Sequence, residues 1–360
     1  MTTSVRPLVE IDHVSKSFQS PANLLDRARR RAGRTLRAVD DVSLAINEGE
    51  VVALVGETGS GKSTLARCLM KFLEPTEGRI VFDGVDLASV SGGQFQRLRR
   101  GMQMVFQNPH ASLNPRMRVA DAIAEPLFAH TAMTRSEVHD RVTQLLGLVG
   151  LPASARTKYP SMFSGGQRQR ICIARALAVQ PRLLVADEPV SALDVSVQAQ
   201  VLSVLTEIQR ELGLTMLFIT HDLAVVRYVA QRVAVMYLGR IVEVATVDEL
   251  FLRPRHPYSE ALLAAIPSLE PSTRFREMAP PRGDIPSAFD LPSGCRFHPR
   301  CPIARAGCRL EDPPLADVGP GHAAACWASI DPERFAAWPP LDADRRPPDE
   351  DRSAQPTLRG

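Results

Sequence analysis

The sequence predicts an α/β fold on a mostly parallel sheet, and three observations carry that prediction. Short apolar runs of strand length alternate with helical periodicity over most of the first 270 of 360 residues. One such run, Val51–Val55, sits between Gly49 and Gly56 and leads into a glycine-rich loop that opens a helix. Another, Leu183–Ala186, ends in two adjacent carboxylates, Asp187 and Glu188. That would place both at the carboxyl edge of the sheet, where open α/β folds bind ligands.

The remaining elements follow in order. A helix is expected over Ser63–Leu73, ending before Pro75. Met102–Phe106 reads as a strand running into Gln107 and a Pro/Asn-rich segment, and residues 109–176 turn helical. Thr134 and Glu137 have capping-box spacing, followed by Val138, Val142, Leu145, Leu146 and Val149 on one face. Val197, Val201, Leu205, Ile208 and Leu212 stripe the helix after Leu183–Ala186. Thr215–Ile219 and Val233–Tyr237 complete the strand set, with Leu238-Gly239 as a hairpin turn into Ile241–Val244. From about residue 270 prolines multiply and periodic apolar positions thin out, and residues 336–360 read as disordered. No long internal repeat is visible, so the chain holds one such unit.

Composition narrows the function. With 44% hydrophobic residues the chain can build a sizeable core, and 43 basic against 40 acidic residues leave a formal charge of only +3. A nucleic-acid binder would show a strongly basic domain, so none is expected as partner. The run Arg27, Arg29, Arg30, Arg31, Arg34, Arg37 is a local exception, read as a solvated loop or a contact with lipid headgroups or a partner. No apolar stretch approaches the about 18 residues that span a bilayer, and no signal-peptide core opens the chain. The expectation is a cytosolic protein, so that any membrane passage belongs to another polypeptide.

The chemistry begins at Gly56-Glu57-Thr58-Gly59-Ser60-Gly61-Lys62-Ser63, which fits G-x-x-x-x-G-K-[ST] between a strand and a helix. Its glycines let successive N–H groups curl around phosphate oxygens, and the helix N-terminus adds its dipole. Lys62 would pair with the β- and γ-phosphates, and the Ser63 hydroxyl would ligate Mg²⁺. Asp187 suits the Mg²⁺ shell, and Glu188 suits the general base that polarises an attacking water. Phe163-Ser164-Gly165-Gly166-Gln167 offers a second anion site, because Ser164 and Gln167 have capping-box spacing at a helix start. One phosphate loop and a second phosphate-seeking helix end in one chain imply a nucleotide shared between two chains.

Phe163–Gln167 resembles the signature of ABC transporter ATPases, and the order of the other motifs is similar too. The resemblance implies a P-loop NTPase core, an antiparallel β subdomain and an inserted α-helical signature subdomain, with two cassettes packed head to tail. It implies that Gln107 reaches Mg²⁺ and the attacking water, that Ser191-Ala192-Leu193-Asp194 crosses the dimer, and that His221 contacts the γ-phosphate. Thr64 joins the nucleotide site, and Phe18 stacks on adenine. Within that family, residues 102–117, residues 255–267 and the cysteine-bearing tail resemble the oligopeptide and dipeptide importers. Two transmembrane permease subunits, a second ATPase subunit and an extracytoplasmic binding protein are then the expected partners, at the cytoplasmic face of the inner membrane. Nickel or another small solute, or a soluble non-transport role, are the alternatives.

Cys295, Cys301, Cys308 and Cys326 crowd into a short stretch. Four thiolates in a reducing compartment usually mean a metal, and spacing this wide leans to a [4Fe–4S] cluster over zinc, with free thiols as the third reading. Cys68 and Cys172 lie on predicted helices and read as small core residues. The domain expectation is a nucleotide-binding domain over 1–245 with its helical part near 109–176, a C-terminal extension over 246–335, and a tail over 336–360.

Overall fold

The computed structural model describes residues 6–19, 34–266 and 283–341. Four arginines of the basic run, Arg27, Arg29, Arg30 and Arg31, lie outside them, while Arg34 bonds to Asp290 and Arg37 stands 3.8 Å from Asp40. The N-terminal strands are β1 (Val9–Gln19), β2 (Thr35–Ile46) and β3 (Val51–Val55), followed by α1 (Lys62–Leu69), β4 (Glu77–Phe82) and β5 (Val85–Asp86). Then come α2 (Gly92–Gly101), β6 (Met102–Val105), α3 (Pro109–Ser112), α4 (Val119–His130), α5 (Arg135–Leu148) and α6 (Gly165–Leu177). The centre closes with β7 (Leu183–Asp187), α7 (Val195–Leu212), β8 (Thr215–Thr220) and α8 (Leu223–Val229). After β9 (Arg232–Tyr237) and β10 (Arg240–Thr246) follow α9 (Val247–Leu252), α10 (Pro257–Ala264), β11 (Ala316–Gly319), β12 (His322–Ala324), α11 (Trp327–Ile330) and α12 (Pro332–Ala337).

The larger sheet has the order β11-β12-β10-β9-β3-β8-β7-β6 and is parallel from β9 to β6. Every residue of β3, β7 and β8 is buried, which is why these strands read as unbroken apolar runs. One apolar core joins α4 to α8 with one set of sheet positions, including Leu184, Ala186, Met216 and Phe218. A second uses the alternate residues Leu183, Val185, Leu217 and Ile219 with α1 and the smaller antiparallel sheet, β2-β1-β4-β5. Register decides the rest: Asp187 pairs with Ile219 and Val55 with Thr220. Gly56, Glu188 and His221 therefore follow three adjacent strand ends on one edge.

The strands fall where periodicity puts them, and Leu238-Gly239 turns β9 into β10 with both residues at positive φ, 43° and 87°. Thr134 and Glu137 form the expected capping box. Three expectations need correction. Helix α1 stops at Leu69 rather than Leu73, because Lys71 sits at φ 52° with its ammonium on the Leu87 and Val90 carbonyls, and a left-handed residue cannot continue the helix. On α7 the buried face is Val201, Leu202, Leu205, Ile208 and Gln209, leaving Leu212 half exposed. Residues 336–341 are ordered: Trp338 packs edge-on against Trp327 and Phe335, and Leu341 N–H donates to Ala304 O at 3.1 Å. The rest of the expected disordered tail, 342–360, lies outside the described residues.

The C-terminal segment packs onto the core of the fold. Strand β12 extends the main sheet by pairing with β10, Glu243 opposite Ala324. Phe297 is fully buried against Tyr237 and Tyr258, at ring separations of 5.3 and 5.4 Å. A proline-rich texture concealed these few aromatic anchors.

Candidate functional site

The loop from Gly56 to Ser63 leaves the buried end of β3 and opens α1. Gly59 and Gly61 adopt φ 84° and 108°, which a glycine reaches without steric cost. A Cβ at Gly56 would lie 2.1 Å from the Met236 carbonyl oxygen, and one at Gly61 would lie 2.2 Å from that of Ala38. Only glycine lets the loop close so tightly on β9 and β2. Thr58 and Gly59 are exposed, while Thr64 is half-buried on the first turn of α1.

Lys62 is buried, and its ammonium donates to the carbonyls of Gly56 at 2.7 Å and Glu57 at 3.0 Å. Burial pulls its pKa below the usual lysine value, against the opposing pull of Glu188, Asp187 and Glu57. Asp187, at the end of β7, accepts a hydrogen bond from Ser63 Oγ at 3.0 Å. Burial pushes its carboxyl above the usual range, with that bond opposing. Both shifts have one main cause: a cation and an anion sit partly desolvated.

These residues fit the ATP and Mg²⁺ that the motif implies. Ser60 Oγ is buried in the loop without a hydrogen-bond partner, a polar atom left free for a ligand. Ser63 and Asp187 bring together two hard oxygen ligands, and Mg²⁺ takes such a pair with substrate phosphates.

Glu188 adopts φ 46°, uncommon for a residue with a side chain, and its N–H donates to Ile219 O at 2.9 Å. Each of its two carboxylate oxygens has its own neighbour. Gln107 Nε2 donates to Oε2 at 3.0 Å, and His221 Nδ1 lies 3.4 Å from Oε1. Gln107 Nε2 also donates to Ser191 Oγ at 3.3 Å. Phosphate loop, Asp187, Glu188, Gln107 and His221 thus converge on one sheet edge, from segments spread between residues 56 and 221.

Ser164 caps α6, accepting from Gln167 N–H at 3.4 Å while Gln167 Oε1 accepts from Ser164 N–H at 3.1 Å. Their bonds close on each other and leave both residues exposed. Gly165 and Gly166 have an internal reason to be glycine: a Cβ at Gly166 would lie 2.2 Å from Val197 Cγ1, and one at Gly165 3.0 Å from Leu193 Cδ2. The helix start is therefore packed on the segment that holds exposed Asp194, the N-cap of α7. Phe18 lies half-buried on β1 opposite Leu36, with Lys16 Nζ 5.4 Å from its ring centroid. Sequence reasoning missed Ser191 as a partner of Gln107, and it missed Tyr258 and Arg300, which both bind Glu57. Tyr258 lies within the 255–267 stretch and Arg300 beside Cys301, but nothing local ties either to the loop; only the fold brings them there.

The four tail cysteines lie near enough that Cys326, Cys301 and Cys308 each oppose ionisation of Cys295. Burial is the main cause that raises all four, to about 12 for Cys301 and about 11 for Cys326. They stand as free thiols, and among the described residues no group of three or more His, Cys, Asp or Glu side chains is arranged to hold a metal ion. The expected metal arrangement is thus not found among the described residues. Cys68 and Cys172 are buried core residues, as expected.

Comparison with known proteins agrees with the motifs. The ABC transporter family matches residues 39–191, and the oligopeptide/dipeptide transporter C-terminal region matches residues 242–308. A probable peptide ABC transporter ATP-binding protein of Sinorhizobium fredii is 51% identical over 291 residues, covering 81% of this chain and 82% of its own length. The oligopeptide transport ATP-binding protein of Salmonella typhimurium is 46% identical, covering 83% and 90%. Among solved structures, a dimeric ATP-binding cassette in a post-hydrolysis state bound to ADP and phosphate aligns with TM-score 0.58 at 28% identity, over 66% of this chain and 98% of that one. A cassette of a Clostridium perfringens ABC transporter complex aligns with the same TM-score and identity, over 69% and 91%. Among the described residues no helix is long and apolar enough to cross a membrane. The chain belongs to the ATP-hydrolysing cassettes of the ABC transporter family, in the branch that carries the oligopeptide/dipeptide transporter C-terminal region.

Proposed function

We propose that this chain powers peptide uptake as the ATPase subunit of an importer, working against a second cassette. The observation that carries the catalytic reading is the grip of Gln107 and His221 on the two oxygens of Glu188, beside the Ser63–Asp187 pair. The relatives' peptide-transport names support the cargo class.

Bound ATP with Mg²⁺ supplies the γ-phosphoryl group and the charge neutralisation for its transfer to water. The residues of this chain do the rest. Loop N–H groups beyond Glu57, up to Lys62, and the Lys62 ammonium would hold phosphate oxygens, while Ser63, Asp187 and Gln107 would hold the metal. Glu188 accepts the proton of the attacking water, oriented by Gln107 on one oxygen, and His221 senses the γ-phosphate from the other. Ser164–Gln167 and Asp194 face the nucleotide of the partner cassette; their exposure and the dimeric neighbour support this. Phe18 takes the adenine. Residues 1–245 form the nucleotide-binding domain with its antiparallel sheet and its helical part, and 246–335 form the extension. Two transmembrane subunits and an extracytoplasmic binding protein complete the complex, with this chain peripheral at the cytoplasmic face.

The finer reading of the tail is a [4Fe–4S] cluster on Cys295, Cys301, Cys308 and Cys326, supported by their spacing in the sequence. About four irons per chain in anaerobically prepared protein would uphold this; colourless protein with four freely alkylated thiols rejects it. For the ATPase, Glu188→Gln should retain ATP binding and lose about 10²-fold or more in turnover. Wild-type turnover would remove Glu188 from the base role.

A further inference from the structure

The first variable residue of the phosphate loop is held from a distant part of the chain. Glu57 N–H donates to Tyr258 Oη at 2.8 Å, from α10. Its carboxylate accepts both terminal nitrogens of Arg300, at 2.8 and 3.0 Å. Arg300 lies 243 residues further on, immediately before Cys301. Its guanidinium is buried, 5.8 Å from the Tyr237 ring centroid and 5.9 Å from that of Phe297. Those two rings pack edge-on, and Tyr258 tilts against both.

A guanidinium fork on a carboxylate fixes orientation as well as distance, and aromatic rings on one side limit its movement. The pair does more than tie down a side chain. The Glu57 carbonyl is one of the two that receive Lys62 Nζ, and Gly56 supplies the other. Where Glu57 sits therefore sets the backbone from which the loop and its lysine are arranged. Among the described residues, the side-chain hydrogen bonds of Arg300 go to Glu57 and Tyr237, and that of the Tyr258 hydroxyl to Glu57.

We propose that Arg300 and Tyr258 are positioning residues for the phosphate loop, latching it to the cysteine-bearing segment through Glu57 so that nucleotide affinity depends on that segment. This rests on the assignment of Gly56–Ser63 as the ATP site. The turn carrying Arg300 is shared with the tail cysteines: Arg300 N–H donates to Phe297 O at 2.9 Å, and Cys301 N–H to His298 O at 3.4 Å. A rearrangement of the cysteines is thereby transmitted to the loop through one ion pair.

The test measures ATP affinity of the full chain by displacement of a fluorescent ATP analogue, alongside steady-state ATPase kinetics. Arg300→Ala and Glu57→Gln should each weaken ATP binding about 10-fold and raise KM for ATP, with kcat changing much less. The double variant should be no weaker than the worse single one, because both changes cut the same link. Arg300→Lys, which keeps the charge without the fork, should recover part of the loss. If Arg300→Ala fails to fold, Glu57→Gln and Arg300→Lys carry the same decision. Wild-type affinity in the folded single variants, additive losses in the double, or a loss confined to kcat each overturns the latch. Lys62→Ala is the reference: if it also keeps full affinity, the fault lies with the ATP-site assignment and not with the latch.

Discussion

Replacing Gly61 by alanine tests whether the loop's glycines serve closure or merely flexibility. Gly61 holds φ 108° at the N-cap of α1. An added Cβ would meet the Ala38 carbonyl oxygen at 2.2 Å and the Met236 terminal methyl at 2.8 Å. The methionine end can swing aside, but the Ala38 carbonyl belongs to β2 and cannot move without its strand. The left-handed conformation costs roughly 1–3 kcal/mol, and forcing backbone apart adds roughly 1–3 kcal/mol. Gly59→Ala is the internal control. It has φ 84° with nothing within 4 Å of its Cβ, so it carries only the conformational cost. At about 2–4 °C per kcal/mol, nucleotide-free Gly61→Ala should melt several degrees below Gly59→Ala when followed by circular dichroism. Equal melting midpoints would refute the close-approach reasoning, leaving φ alone to explain both glycines.

Further tests separate the two phosphate-seeking helix starts and the buried core. Lys62→Ala should abolish most ATP affinity in the isolated chain, whereas Ser164→Ala should leave it nearly intact and slow hydrolysis; equal affinity losses would contradict a shared nucleotide. His256 is buried, its Nδ1 accepts from Tyr258 N–H at 3.0 Å, and burial pushes its pKa down to about 4 against the opposing charge of Glu243. The unfolded chain takes up this proton near pH 6.5, which the folded chain resists until about 4. Stability is therefore lost as pH falls across that window and is flat in this respect below it. The loss should reach about 2 kcal/mol by pH 5, seen as a lower urea midpoint than at pH 7.5. His256→Gln should flatten that difference, and an unchanged difference would exclude His256 as its source.

The geometry of the candidate nucleotide site was legible because it depends on local order. A strand, a glycine turn and a helix start are consecutive, so G-x-x-x-x-G-K-S states both the residues and their geometry. Strand ends at Asp187 and Thr220 were legible for the same reason, and α1 was misread by four residues because Lys71 adopts a left-handed φ that no glycine announces. Residues 336–341, expected to be disordered, were misread as well. The apolar content of the C-terminal segment is low, yet Phe297, Trp327 and Trp338 are placed where each meets another ring. Counting apolar residues cannot register that placement.

The sequence by itself determined the phosphate loop, the acidic strand end, the capped signature helix and the membership of an ATPase family, since each depends on residues within one short segment. Only the tertiary structure decided that Gln107 and His221 take different oxygens of Glu188, that Gly166 is small because of Val197, and that Arg300 and Tyr258 hold Glu57. The physical reason is separation along the chain. Parallel strands and a C-terminal return bring together groups tens to hundreds of residues apart, and a hydrogen bond or steric contact between them leaves no periodicity for a local pattern to carry.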